Sequence, residues 1–347
     1  MSSAYERKRD KLLRKAGVRH FDKLIHDQDR AWLVENFGAG APKYPVNVSR
    51  LMRNIIWQTR ERIVSGEREK LSELVRTFWY MHVKPTLSRA GSLSDETDQY
   101  KQLSGQLVHM VTELDVMRYS DIGFRDDNEA HRRIGTNANI VLFSEKLGHQ
   151  AFLSEMANKY GVSIIALGGQ PSVVNVEYFV DSLKAASVNL KRSFYLFSIV
   201  DYDPSGWIIR DAFLADLAFY GIKNVRMVNL ITPDSLTPEE VRMSRYRIPM
   251  GPDMKKKNAA WLEEVGKRKF KNQELLVEER RGRQILYGLE AESISGKRIA
   301  AKLEKVMVPL VGKSEDLLKT YELRQLDEAL KALIVYRLTG GGVSIYG

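Results

Sequence analysis

The 347-residue chain contains no cysteine. Disulfides and thiolate-ligated zinc are excluded, and an intracellular location is expected. No apolar run approaches the roughly 20 residues of a membrane span, so no membrane partner is expected. The N-terminal stretch MSSAYERKRDKLLRK also lacks the apolar core of a signal peptide. A G-x-x-x-x-G-K-[ST] phosphate loop is missing too, which leaves the chain without a recognisable ATP-binding module. No internal repeat or low-complexity segment stands out.

What the chain has in excess is positive charge. Lys and Arg number 54 against 44 Asp and Glu, for a net charge of +10. That excess favours a polyanionic partner, by attraction to phosphates and release of their counterions. The length allows two domains with their own cores. Residues 1–42 read as a basic helical arm, Arg7 to Lys15, closed by a linker at Gly38–Pro42. Residues 43–135 read as mostly helical, with helices over Asn47–Val64, Glu67–Met81 and Ser94–Met117 and Pro85 as a stop. A basic tail, Arg118 to Gly135, follows and contains Arg125, Arg132 and Arg133. Three helices and a basic ribbon fit a winged-helix, CAP-like variant of the helix-turn-helix; a generic helical domain fits the periodicity equally.

From residue 136 onward strands alternate with helices. Ile140–Phe143, Ser163–Leu167, Phe194–Val200 and Val225–Val228 read as strands of a mostly parallel sheet, giving an α/β domain with a helical C-terminal extension. That extension is expected to hold charged helices over Lys255–Arg283, then Lys297–Leu310 and Ser314–Leu338, and a flexible tail from Gly340.

The strand Phe194–Val200 ends in Asp201-Tyr202-Asp203-Pro204-Ser205-Gly206. Side chains alternate in extended chain, so the two carboxylates point the same way. Ligands of open α/β sheets sit at the carboxyl ends of strands, and Mg²⁺ favours such oxygen ligands. An earlier strand, Ala138–Phe143, ends at Ser144-Glu145-Lys146 and offers a third acid. Two solvated acids capping the next helix would explain Asp201 and Asp203 as well. One Glu after one strand and D-x-D after a later one resembles the layout of a Toprim module, which binds Mg²⁺ for phosphodiester chemistry.

In the helical region, Leu74–Met81 reads LVRTFWYM. Arg76 and Tyr80 are four apart and share a helix face. A nucleophilic tyrosine needs a cation near its oxygen, and an arginine can also hold the phosphate. Phe78, Trp79 and Tyr80 could equally be core aromatics.

Together, R-x-x-aromatic-Tyr-Met, strand-Glu and strand-D-x-D-P-x-G resemble the A subunit of DNA topoisomerase VI and its relative, the meiotic double-strand-break transesterase. The resemblance covers about Val46 to Phe219. It implies that Tyr80 is the nucleophile, forming a 5′-phosphotyrosyl link, with Arg76 as phosphate ligand. Glu145, Asp201 and Asp203 would hold Mg²⁺, Glu145 serving alternatively as general acid. It further implies double-stranded DNA as substrate, a homodimer in which tyrosine and acids come from different protomers, a nucleoid or nuclear location, and a separate ATPase B-type subunit for strand passage. Arg125, Arg132, Arg133 and Gln170 are the further DNA contacts expected. The turn Gly168-Gly169-Gln170-Pro171 matches the family's G-x-P-D turn, but Ser172 replaces its aspartate and Val176 stands where an arginine is usual. A hydrolytic Toprim nuclease and a non-catalytic DNA-binding protein are the rival readings.

Overall fold

A computed structural model of the chain describes residues 4–41, 44–126, 128–168, 173–251, 254–267 and 270–311, together with Leu326 and Leu330. The helix expected over Ser314–Leu338, the tail from Gly340 and the turn at Gln170 lie outside the described residues. The chain is mixed α/β and falls into two compact units, Met1–Asp127 and Asn128–Gly347. Among the described residues, no helix is long and apolar enough to cross a membrane.

The first unit is mainly helical. It begins with α1 (Ala4–Lys15) and α2 (Arg30–Phe37). Gly38–Pro42 was expected as a linker; instead β1 (Gly38–Ala41) pairs antiparallel with β2 (Tyr44–Val46). Buried Phe37 and Val46 flank this hairpin, and the Asn47 N–H donates to Phe37 O at 2.7 Å. The longest helix, α3 (Val48–Val64), starts where the Asn47 side chain accepts the Arg50 N–H, an N-cap of ordinary chemistry. Its Leu51, Ile55, Ile56 and Ile63 stripe is buried, as the helical spacing requires.

The helix expected over Glu67–Met81 does not start until Val75. Leu71 N–H donates to Ile122 O, Ser72 has a left-handed φ of 49° and Glu73 bridges Phe124, so the residues before Val75 are not helical. Helix starts at α4 (Val75–Phe78), passes through one π turn, Trp79–Val83, and continues as α5 (Lys84–Arg89). Pro85 does not end the run but lies in the first turn of α5. There the Lys84 N–H already reaches back to Trp79 O, so the missing proline N–H interrupts little. The third expected helix is α6 (Glu96–Val108), extended by a π turn over His109–Glu113, and α7 (Tyr119–Ile122) follows.

Among its described residues, the basic tail forms no ribbon of its own. Arg132 and Arg133 are β3, paired antiparallel with Ile165 and Ile164 of the second unit's sheet. Backbone hydrogen bonding to an open sheet edge takes the place of the expected wing.

The second unit is built on a five-stranded sheet of order β3-β5-β4-β6-β7. Its strands β4 (Asn137–Ser144), β5 (Val162–Ala166), β6 (Phe194–Ile199) and β7 (Val225–Asn229) are mutually parallel. Helices α8 (Gln150–Tyr160), α9 (Val173–Ala185) and α10 (Pro204–Phe219) make the crossovers. Both faces are covered: Ile140 and Leu142 pack with Leu153 and Met156, while Val141 and Phe143 pack with Phe179 and Phe213. This two-sided burial explains why the strands read as unbroken apolar runs.

Beyond β7 come α11 (Pro238–Ser244), β8 (Arg245–Arg247), α12 (Lys255–Gly266), β9 (Val277–Arg280), β10 (Arg283–Leu289) and α13 (Gly296–Val311). The helical reading of Lys255–Arg283 therefore holds only to Gly266. Arg281 and Gly282, with φ of 54° and 69°, make a two-residue hairpin turn between β9 and β10. The three short strands form an antiparallel sheet of order β8-β10-β9.

Candidate functional site

In the parallel sheet the chain runs from β4 outward to β5, then from β6 outward to β7 on the other side. The direction of winding reverses between β4 and β6, the place where open α/β sheets bind ligands. Ser144 and Ile199 are register partners at the ends of these strands. Glu145 and Asp201 therefore leave the sheet side by side, and the Glu145 N–H donates to Ile199 O at 3.2 Å.

The Glu145 carboxyl is half-buried, and its Oε2 is enclosed with no hydrogen-bond partner. Burial first, and then the Asp201 charge, raise its pKa above the usual carboxylate value, partly offset by Lys146 and the Asp201 N–H. Asp201 Oδ1 accepts the Ala291 N–H at 2.7 Å and lies 3.3 Å from Lys146 Nζ. Lys146 Nζ also bonds Glu292 Oε2 at 2.6 Å. Burial lowers the lysine pKa, but the bonds to Glu292 and Asp201 outweigh it and the net shift is upward. His149 Nδ1 meets Ser144 Oγ at 2.7 Å, and burial pushes this histidine down.

Asp203 is buried and caps α10. Its Oδ1 accepts the Gly206 N–H at 2.6 Å and its Oδ2 accepts the Tyr246 hydroxyl at 2.7 Å. That contact with Asp203, together with burial as the larger cause, raises the Tyr246 pKa well above the phenol range. Tyr202, between the two acids, points the other way and is fully buried against Trp207, Trp261 and Phe270. Tyr202 thus enters the aromatic core while Asp201 and Asp203 accept hydrogen bonds from Ala291, Gly206 and Tyr246.

Pro204 and Gly206 make the turn possible. Proline suits the first turn of a helix. A Cβ at Gly206 would lie 2.2 Å from Asp201 O, so only glycine fits. Gly288 on β10 similarly leaves room for Tyr246 and the Asp203 side chain, whose atoms a Cβ would meet at 2.8 and 2.9 Å.

As a cation site, the arrangement is partial. Among the described residues no group of three or more His, Asp or Glu side chains converges as a metal cluster. Glu145, with an unpartnered buried oxygen beside Asp201, fits an Mg²⁺ ligand pair. Asp203 is turned to Tyr246 and the start of α10, and in this conformation serves as a cap rather than a ligand.

The tyrosine belongs to the first unit. Phe78 and Trp79 are core residues, whereas Tyr80 is 45% exposed and Met81 beside it 55%. Arg76 lies one helical turn before Tyr80, and its interaction with the Tyr80 hydroxyl raises the arginine's already high pKa. Lys84 Nζ lies 5.2 Å from the centre of the Tyr80 ring and also pairs with Glu96 at 2.5 Å. Positions 76, 80 and 84 thus form one cationic strip around an outward phenol, on a π turn of the kind frequent at functional sites.

The remaining arginines divide. Arg125 is exposed, Arg132 packs over the Tyr178 ring at 5.8 Å, and Arg133 bonds Asn158 Oδ1 at 2.9 Å. The last two hold the β3 edge against neighbouring helices. Lys146, Tyr246, Glu292 and Lys84 escaped the reading of the sequence. Adjacency to Glu145 could have flagged Lys146, and spacing Lys84; Tyr246 lies 43 residues from the Asp203 it bonds and Glu292 lies 146 residues from Lys146, with no local signal.

No protein-family model matches the chain, and none of the curated proteins matches it.

Proposed function

We propose that this chain is a DNA-cleaving and rejoining transesterase of the type IIB topoisomerase kind. The first unit would supply the nucleophile and the second the acids. Tyr80 Oη gives up its proton to solvent and bonds to a DNA phosphorus while the bond to the 3′-oxygen breaks, leaving a 5′-phosphotyrosyl link and, once that oxygen takes a proton from solvent, a 3′-hydroxyl. Arg76 holds the non-bridging oxygens as the phosphoryl charge develops. Glu145 and Asp201 would hold Mg²⁺, which when bound neutralises phosphate charge. Phosphodiester energy is kept in the tyrosyl bond, so rejoining needs no ATP. Double-stranded DNA is the substrate, two copies cut two strands, and any ATP-driven strand passage falls to a separate ATPase subunit.

The observation behind this reading is the Tyr80 phenol turned outward between Arg76 and Lys84 while its two aromatic neighbours are buried. Incubation with supercoiled plasmid and Mg²⁺, followed by denaturation in detergent, should leave protein on the 5′ ends. Tyr80→Phe should abolish the adduct while changing stability by no more than about 0.5 kcal/mol, since the side chain is surface-exposed. Continued cutting by that variant would mean a water-dependent nuclease.

One observation favours a non-catalytic DNA-binding protein instead: protein donors already engage Asp201 and Asp203. Under that reading wild-type protein leaves plasmid intact, and DNA retention is salt-sensitive but indifferent to Asp201→Asn.

A further inference from the structure

The acidic edge of the sheet already contains a cation. Lys146 Nζ lies 3.3 Å from Asp201 Oδ1 and 2.6 Å from Glu292 Oε2, at the strand end where Glu145 keeps an unpartnered buried oxygen. The backbone beneath it is fixed: the Lys146 N–H donates to Ser144 Oγ at 3.2 Å, and Ser144 Oγ donates to Lys146 O at 3.1 Å. The side chain is not fixed in that way. It is a long stem ending in a compact ammonium, about a third exposed, and Glu292 is about half exposed.

We propose that Lys146 is a built-in counter-cation for the metal site, held ready by Glu292 and displaced when a divalent ion binds Asp201 and Glu145. This inference rests on the reading of those two acids as metal ligands and adds the residue that competes with the metal. The ammonium and the ion want the same carboxylate, and two cations a few ångströms apart in a half-buried site repel strongly. Divalent binding therefore expels Lys146 from Asp201. Glu292, already the closer partner, keeps the ammonium near the strand ends, where it faces an incoming phosphate. Two consequences follow from the geometry. The free protein avoids the repulsion of uncompensated neighbouring carboxylates, and its metal affinity is weaker than the acids alone would give.

Direct Mn²⁺ binding, by calorimetry or by the electron paramagnetic resonance of free Mn²⁺, tests the competition without any turnover. Lys146→Met should tighten the dissociation constant tenfold or more, whereas Lys146→Arg, which keeps the charge, should not. A second measurement uses the native side chain. In protein carrying ¹⁵N-lysine, the Lys146 ammonium gives a protected signal, assigned by its loss in Lys146→Arg, and saturating Mg²⁺ should abolish or move it. Mn²⁺ affinity unchanged in Lys146→Met, or an ammonium signal unmoved at saturating Mg²⁺, overturns the proposal while the metal site stands, provided Asp201→Asn weakens binding. If Asp201→Asn and Glu145→Gln both bind Mn²⁺ as the wild type does, the metal reading itself fails. The ammonium signal is read on wild-type protein, so a poorly folding methionine variant does not remove the test.

Discussion

His82 lies two residues past Tyr80 with its side chain buried. Its ring stands edge-on to His26 at 4.9 Å, and Arg68 Nη2 approaches Nε2 at 3.4 Å. The Nδ1 atom is enclosed without a partner. Burial above all, then His26 and Arg68, push its pKa down from 6.5 to about 4. A histidine depressed in the fold stays neutral there while the unfolded chain takes up a proton, so the unfolded state binds more protons below 6.5. Its stability contribution is complete above that value and is lost as pH falls through the window to about 4. The shift corresponds to roughly 3 kcal/mol at most. Urea unfolding followed by tryptophan fluorescence at pH 7.5, 5.5 and 4.5 should show the first unit weakening with acid. His82→Gln should flatten that slope; an unchanged slope would assign the acid lability to other groups. Asp216 acts in the opposite sense. Burial alone raises its pKa to about 6, so it costs stability as pH rises from 3.8 to about 6. Asp216→Asn should recover about 1–2 kcal/mol at neutral pH, with the shift discounted for partial exposure.

At the scale of the element, the turn between β6 and α10 concentrates most of the site's geometry. A methyl at Gly206 would meet Asp201 O at 2.2 Å, and the atom in the way is backbone, which cannot swing aside. Gly206→Ala should therefore cost about 3 kcal/mol or more by forcing the chain apart. A thermal melt with a midpoint within about 2 °C of wild type would show that the turn relaxes more easily than its contacts suggest. This turn was legible in the sequence because every requirement is local: an apolar run, alternation, and Pro204, Ser205 and Gly206 ending the strand. The four parallel strands were legible for the same reason, as was the helical spacing of α3 from Asn47 to Val64. What stayed hidden depends on distant partners or on charge that imitates helix. The end of the run Lys255–Arg283 reads as charged helix until Arg281 and Gly282 turn the chain back on itself. Arg132 and Arg133 look like a DNA-facing ribbon until the open edge of β5 recruits them. The distant donors to Asp201 and Asp203 come from Ala291 and Tyr246, and nothing near either acid announces them.

For the whole molecule, the two halves of the proposed chemistry lie in separate compact units, Tyr80 in Met1–Asp127 and the acids in Asn128–Gly347. A reaction assembled from two copies of the chain makes a prediction that a single-copy reaction does not. In a mixed dimer of Tyr80→Phe and Asp201→Asn, one composite site joins the defective phenol position of the first copy to the defective acid of the second. The other site joins an intact tyrosine to an intact acid set. Each variant alone should form no covalent adduct, and mixing them should restore nicking with protein on one 5′ end. Double-strand breaks should stay absent, because only one site per dimer works. If tyrosine and acids of the same copy act together, both copies in the mixed dimer are dead and mixing restores nothing. Binding itself should survive in every arm, since the charge of +10 is nearly untouched and the affinity for duplex DNA is set by phosphate contacts. Retention on DNA across a salt series therefore controls the experiment: equal slopes with restored nicking place the two halves of the site on different copies, and equal slopes without it place them on one.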